Sequence, residues 1–228
     1  MPIYNAPILK IDAKETRRYA GLMRATDFDE NLIEDACTDA RLLAEPQGIW
    51  EIYDYDAALQ KVFATPPFIV KGEKIGKHLA SCEKAVIMAA TVGEAIEDNV
   101  TNLFKAGEYA KSMLLDAAAT AAVEQLADGM EKAIARAVST YGQGYKMRWR
   151  FSPGYGDWPI EQQPELMRLS KAASIGISLS SAMMLMPRKS ITAIIGLYKE
   201  EKSAAPPEHS PKGCLACTLI NCPSRQIN

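Results

Sequence analysis

The run Lys84 to Gly93, "KAVIMAATVG", decides the fold class. It is a continuous apolar stretch closed by a glycine, the mark of a buried strand. Upstream, "GIWEIYDYD" (48–56) is aromatic, β-branched and partly alternating, and reads as a second strand. Between them, "FIVKGEKIGKHLASC" (68–82) begins as a short strand after Pro66-Pro67 and turns into a helix near Lys74. Further back, Glu30 to Ala44 carries Leu32, Ile33, Ala36, Leu42 and Leu43 near one helical face, with Asp29 as cap and Pro46 as stop.

Downstream, Gly93 opens the helix "EAIEDNVTNLFKAG" (94–107), which Gly107 terminates. The longest helix follows, over about 108–138, with Leu114, Ala118, Ala122, Leu126, Met130 and Ile134 forming one apolar seam. Small residues from Ala117 to Ala122 let another backbone or a flat ligand come close. "QGYKMRWRF" (143–151) alternates and reads as a strand, a further helix covers about 161–173, and "IGISLSSAMMLMPRKSITAIIGLYK" (175–199) reads as two strands joined around Pro187. No internal repeat is present. Together these pieces make an α+β fold, with a mixed or antiparallel twisted sheet flanked by helices.

Of the 228 residues, 48% are hydrophobic and 24% charged, with a net charge of −2. No Ser/Gly/Pro-rich linker divides the middle, so one domain is expected over 1–198, followed by a polar linker and cysteine-rich tail over 199–228. The near-neutral balance lacks the basic stripe of a nucleic-acid binder. No apolar run is long enough to cross a bilayer. The first residues lack the basic-then-apolar pattern of a signal peptide. Five cysteines, an odd number in a chain of this size, point to a reducing cytoplasm. Neither G-x-G-x-x-G after a strand nor G-x-x-x-x-G-K-[ST] occurs.

The chemistry gathers in "RFSPGYGDWP" (150–159). Prolines fix φ and glycines release it, so this stretch is a defined turn holding an arginine, a tyrosine and a tryptophan. An arginine fork binds a carboxylate through two parallel bonds, and an aromatic face attracts a cation. Ser152 and Gly154 add backbone groups from a segment too constrained to pair fully within itself. A ligand with a carboxylate, an ammonium or sulfonium, and a flat ring suits the set; S-adenosylmethionine has all three. The alternative is structural: Arg150 ends a strand and forms an ion pair, while Tyr155 and Trp158 plug the core edge.

"RFSPGY" resembles the R-x-x-x-G-Y motif of the reactivation domain of cobalamin-dependent methionine synthase. Pro159 and a helix with Leu166 and Leu169 follow in order. Gly176, Leu179, Ser180, Met184, Pro187, Ser190 and Ile191 then resemble that family's G-x-x-L-T-x-S-x-x-M-x-P-x-x-S-V-S-G segment, with Ser for its first Thr and Ala193 for its last Gly. Weaker similarity extends back to about Lys84. The resemblance implies that Arg150 holds the carboxylate of S-adenosylmethionine. It also implies that the main chain at Ser152, beside Gly154, meets the adenine, and that Tyr155 lies between that ligand and a corrin. Glu124 takes the place of a family acid on the long helix, a carboxylate suited to an ammonium or sulfonium; its plain reading is a solvated helix glutamate. The family's N-terminal aspartate has no aligned counterpart among residues 1–60, and its last tyrosine has only Tyr198 nearby, at a different spacing.

The implied function is to bind S-adenosylmethionine and dock on a separate corrinoid-binding methionine synthase or corrinoid methyltransferase. There it would support reductive methylation of inactive cob(II)alamin to methylcobalamin, with no side chain acting as acid or base. No D-x-H-x-x-G loop is present, so the partner supplies the cobalamin. A flavodoxin- or ferredoxin-like donor, or the tail itself, supplies the electron. The tail places Cys214, Cys217 and Cys222 as C-x-x-C-x-x-x-x-C-P, a spacing that suits zinc or an iron–sulfur cluster if Cys82 is the fourth ligand. A redox pair and idle thiols are the other readings of those residues. Two other functions follow from these alternatives: a corrinoid-protein adaptor that binds no S-adenosylmethionine, and a metal or redox protein built on the tail. His78 is expected at the surface or in a structural role, His209 lies in the tail as a lesser metal-ligand candidate, and Met183, Met184 and Met186 read as core filler, with contact to an apolar corrin edge as the other reading.

Overall fold

Residues 3–140 and 144–199 are described by the structure, a computed structural model. The apolar run becomes β5 (Lys84–Thr91), and Ala85 through Ala90 are fully buried. It pairs on one side with β2 (Gln47–Asp56), from Gln47↔Thr91 to Asp54↔Lys84. On the other side it pairs with β9 (Ser190–Lys199), from Lys84↔Leu197 to Thr91↔Ser190. β1 (Ile3–Tyr4) and β3 (Lys61–Val62) share the far edge of β2, β4 (Phe68–Ile69) follows β3, and β6 (Tyr145–Met147) closes the opposite edge beside β9. All of these pairings are antiparallel, which resolves the mixed-or-antiparallel expectation. A separate hairpin joins β7 (Ser178–Leu179) to β8 (Leu185–Met186). Two strands joined around Pro187 were expected here; instead, the segment before Pro187 folds on itself and only β9 enters the main sheet.

Contacts gather into two units, each discontinuous in sequence. Among the described residues the first holds 3–7, 45–94, 126–140 and 144–199, and the second holds 8–44 and 95–125. The expectation of one domain over 1–198 rests on the absence of linker composition, and each unit is described by itself.

In the first unit, alternate residues of β5 serve the two faces of the sheet. Ala85 and Ile87 join Leu79, Trp158, Leu166 and Leu169 in one apolar cluster, and Ala89 joins Ile49, Ala172, Ile175 and Ile177 in another. Leu166 and Leu169 come from α6 (Gln163–Ser170), and Leu79 follows α3 (Glu73–His78). The expected helix over about 161–173 is broken, because Lys171 takes a left-handed φ of 60° between α6 and a 3-10 turn at Ala172–Ile175. On the other face, Gly48 opposes Ala90, and a Cβ on Gly48 would run into the Met130 thioether of α5 (Tyr109–Thr140). The missing Cβ leaves room for that thioether between helix and sheet.

The second unit is helical among its described residues: α1 (Ala13–Tyr19), α2 (Glu30–Leu43), α4 (Ala95–Lys105) and the first half of α5. Asp12 caps α1 by accepting from Lys14 N at 2.8 Å, and Asp29 caps α2 by accepting from Asn31 N at 3.0 Å. The buried stripe of α2 is Ile33, Ala36, Cys37 and Ala40, at i, i+3, i+4 and i+7. Leu42, expected on that face, is 68% exposed because it lies off the stripe. The seam of α5 from Leu114 to Ile134 is buried along its length, as its spacing predicts. Among the described residues no helix is long and apolar enough to cross a membrane.

Candidate functional site

The loop after β6 is aimed by a bulge. Met147 pairs with Leu197, and the next ladder point is Phe151, which exchanges bonds of 2.9 and 2.8 Å with Ile194. Four steps along this strand therefore match three along β9. One extra residue bends the strand and redirects the side chains beside it, Arg150 among them.

The loop closes on itself and is bolted at its far end. Gly154 N donates to Trp158 O at 2.9 Å, and Trp158 N donates to Tyr155 O at 3.1 Å. Gly154 and Gly156 supply the left-handed φ values of 88° and 62° that this turn requires. Trp158 is buried, and its indole N–H donates to Gln162 Oε1 at 2.7 Å. The same oxygen accepts from Lys71 N at 2.7 Å, while Gln162 Nε2 donates to Ile69 O at 2.8 Å. One amide thus ties the loop to the chain at β4.

The flank facing α3 is held by charge. The Asp157 carboxylate accepts from Glu73 N at 2.8 Å and from Lys74 N at 3.1 Å. Burial pulls its pKa upward, but the backbone donors of Lys74 and Glu73 outweigh that and hold it below the usual carboxylate value. His78 Nε2 lies 3.0 Å from Trp149 O, and its ring packs on Trp149 and Phe151. Burial lowers the His78 pKa against the opposing pull of the Trp149 carbonyl.

Arg150 Nη1 donates to Asp128 Oδ1 at 2.6 Å and to Glu131 Oε1 at 2.9 Å. Both acids stand on α5, three residues apart and so on one face. The structural alternative thus has its ion pair and its plug, since Arg150 is salt-bridged and Trp158 fills the core edge. Tyr155 does not join that plug: it is 68% exposed at the loop's tip. The structure brings Arg150, Ser152, Gly154 and Tyr155 together on this loop of the first unit. Glu124 stands in the second unit, where its charge, after burial, helps raise the Tyr19 pKa.

No family model matches the chain, and no curated protein matches it. Among solved structures the chain is similar to one described as the MetH reactivation domain bound to AdoHcy. The TM-score is 0.56 at 12% identity, over 90% of this chain and 81% of that one. The two share a fold. At this identity the likeness to the MetH reactivation domain establishes architecture alone: an antiparallel sheet flanked by helices.

Tyr198, the nearest candidate for the family's last tyrosine, is 4% exposed, with the Arg148 guanidinium 4.5 Å from its ring centre. Met184 and Met186, expected as core filler, are 58% and 41% exposed, because the hairpin they occupy stands outside the main sheet. Cys82 is 3% exposed in the apolar cluster beneath Gly196, and burial pushes its thiol up to about 11 against the pull of Arg148. A thiol so enclosed would have to leave its packing to meet a metal held by the tail. Cys214, Cys217, Cys222 and His209 lie outside the described residues. Among the described residues, no group of three or more His, Cys, Asp or Glu side chains could hold a metal ion.

Sequence reasoning missed Asp128, Glu131 and Gln162. The two acids carry only their i, i+3 spacing as a signal, one that many surface helices share. Gln162 carries none, since two of its three partners, Lys71 N and Ile69 O, are set by the tertiary fold.

Proposed function

We propose that this chain binds S-adenosylmethionine at the 150–158 loop and presents it to a separate corrinoid protein. It thereby supports reductive methylation of inactive cob(II)alamin to methylcobalamin. The partner is a methionine synthase or a related corrinoid methyltransferase, and a flavodoxin- or ferredoxin-like protein supplies the electron. The observation that carries this reading is the loop: it is fixed at both ends yet presents the exposed ring of Tyr155 at its tip. The shared fold with a domain described as bound to AdoHcy adds support.

In this reading each part of the ligand has a partner on the loop. Arg150 would take the amino-acid end, with Asp128 and Glu131 holding its guanidinium in place. The main chain at Ser152 and Gly154 would meet the adenine, and Tyr155 would face the corrin. When bound, S-adenosylmethionine supplies a methyl group activated by its sulfonium. The chain's own contribution is position: a loop that does not have to be ordered on binding loses little entropy when the partner arrives. No side chain need move a proton. Glu124 belongs to the second unit and is tested separately, by Glu124→Gln.

Calorimetric titration of the full chain with S-adenosylmethionine tests this proposal. Saturable binding is expected, weakened at least tenfold by Arg150→Ala, as loss of a charge-assisted pair implies. Absence of heat in the wild-type chain overturns the proposal. Tyr155→Ala should retain binding but slow the return of methylcobalamin absorbance in a cob(II)alamin-loaded partner.

A further inference from the structure

We infer that the exposed sheet face of the first unit centred on Phe63 is a self-association surface, which takes a second copy of this chain. β2, β3 and β4 turn alternate residues to opposite faces. Tyr55, Val62 and Phe68 point into one apolar cluster, so their neighbours point away from it. Asp56 stands opposite Lys61, Lys61 stands opposite Ile69, and Phe63 N donates to Asp54 O at 2.9 Å. The outward set is therefore Ile52, Asp54 and Asp56 on β2, Lys61 and Phe63 at β3, and Ile69 on β4. Three of these are large apolar side chains open to water: Ile52 is 37%, Phe63 50% and Ile69 46% exposed. Single exposed apolar residues are ordinary, but these three are diagonal neighbours, one per strand, with steps of about 7 to 8 Å. They form one oblique stripe, and a contiguous apolar patch marks a contact surface.

The charges beside the stripe choose the occupant. Asp54 neighbours Phe63 across the strands and Lys61 neighbours it along the strand, both on the same side of the stripe. Asp54 accepts from Lys84 Nζ, yet its side chain is 68% exposed, so it can meet a second cation. The Lys61 ammonium lies 5.1 Å from the centre of the Phe63 ring. A two-fold axis through Phe63, lying in the interface and crossing the stripe, turns the stripe end for end onto its copy. Phe63 then meets Phe63, Ile52 of each copy meets Ile69 of the other, and Asp54 of each meets Lys61 of the other. Asp56 also falls near the axis, with its carboxylate turned onto Ala58 N at 2.9 Å and Leu59 N at 3.0 Å. A patch that complements itself in this way is what an isologous contact requires. A partner surface of one charge sign would set either Asp54 or Lys61 against its like. Three apolar anchors are few beside the roughly 800 Å² per partner of a standard contact, so the pair is weak, with a dissociation constant of about 10 μM or above.

Sedimentation equilibrium of the full chain tests this, over about 5 to 500 μM to bracket a weak contact. Reducing buffer keeps disulfides from joining two chains. The wild type should pass from monomer to dimer across that range. Phe63→Glu should weaken association by about tenfold or more, since a central aromatic carries much of a small contact. Asp54→Lys and Lys61→Glu should each weaken it by about tenfold alone, and an equimolar mixture of the two should restore it. The mixed pair regains both opposite-charge contacts, which neither variant can make with itself. A chain that stays monomeric at the highest concentration overturns the inference and leaves the face to a different protein. A dimer that survives Phe63→Glu overturns it too, as does a mixture that fails to recover, because the copies would then meet elsewhere. If a charge-reversed chain does not fold, Phe63→Ser and the wild-type concentration series decide the matter.

Discussion

Replacing Gln162 with methionine tests whether a single amide holds the 150–158 loop to the sheet edge. Methionine has a similar length and no branch, so it leaves little cavity and removes mainly the hydrogen bonds. Three partners are stranded: the Trp158 indole N–H, Lys71 N–H and Ile69 C=O. Trp158 is 2% exposed and Gln162 8%, so water cannot readily replace the bond between them. A buried group left unsatisfied costs about 1 to 3 kcal/mol. The indole bears that cost in full, while the two backbone groups sit in part-buried bonds and bear less of it. The expected loss is about 3 kcal/mol, a large share of the roughly 5 to 15 kcal/mol that holds a domain folded. Equilibrium urea unfolding followed by tryptophan fluorescence measures it. A loss under about 1 kcal/mol would refute the reasoning, because it would mean the partners find other bonds at no cost.

Gln162→Glu sharpens the same test. The carboxylate keeps the oxygen that accepts from Trp158 and Lys71 but loses the donor to Ile69 O. Protonation restores that donor, so the folded state raises the carboxyl pKa above its unfolded value. Stability from that bond is present at low pH and lost as the pH climbs through the folded value. The deficit relative to wild type should therefore shrink on acidification. A deficit independent of pH would show that the bond to Ile69 contributes nothing.

Three further outcomes are expected. Gly196→Ala should cost about 2 kcal/mol by thermal unfolding, since overpacking a closed core is destabilising; the new methyl would meet the Cys82 thiol and, at 2.7 Å, Leu79 Cδ2. Adding Cys82→Ala should recover part of that loss, and no recovery would mean the clash lies elsewhere. In a chain carrying Cys214→Ser, Cys217→Ser and Cys222→Ser, the buried thiols Cys37 and Cys82 should resist a thiol reagent until urea is added. Because burial raises Cys82 from 9.0 to about 11, the unfolded chain loses its proton first and stability falls as pH rises across that interval. Asp157→Asn should remove an acid-side dependence: the native carboxyl is depressed, so its stabilisation is present above about pH 4 and lost as pH falls through its folded value. Urea midpoints that fall equally in both proteins on acidification would contradict this.

The order of residues made much of the fold legible. Glu30–Leu43 begins after Asp29 and stops before Pro46, because a side-chain cap and a missing N–H are local facts. The apolar run at 84–91 reads as a buried strand without knowledge of its neighbours. The long seam from Leu114 to Ile134 is equally plain. The loop at 150–159 is recognisable as a rigid turn from its glycines and prolines; the structural alternative named both Tyr155 and Trp158 as a plug, and only Trp158 is buried.

Beyond these elements, residue order reached only as far as interactions act over a few neighbours: caps, periodicity, breakers and turn chemistry. The tertiary structure alone decided that Arg150 meets Asp128 and Glu131, that Asp157 caps a helix 84 residues away, and that Gln162 bonds a carbonyl 93 residues away. It alone decided that β5 lies between β2 and β9. The physical reason is register. A slip of one residue turns every side chain of a strand to the opposite face, so such partners depend on how the whole sheet pairs. No local pattern around either member of a distant pair carries that information.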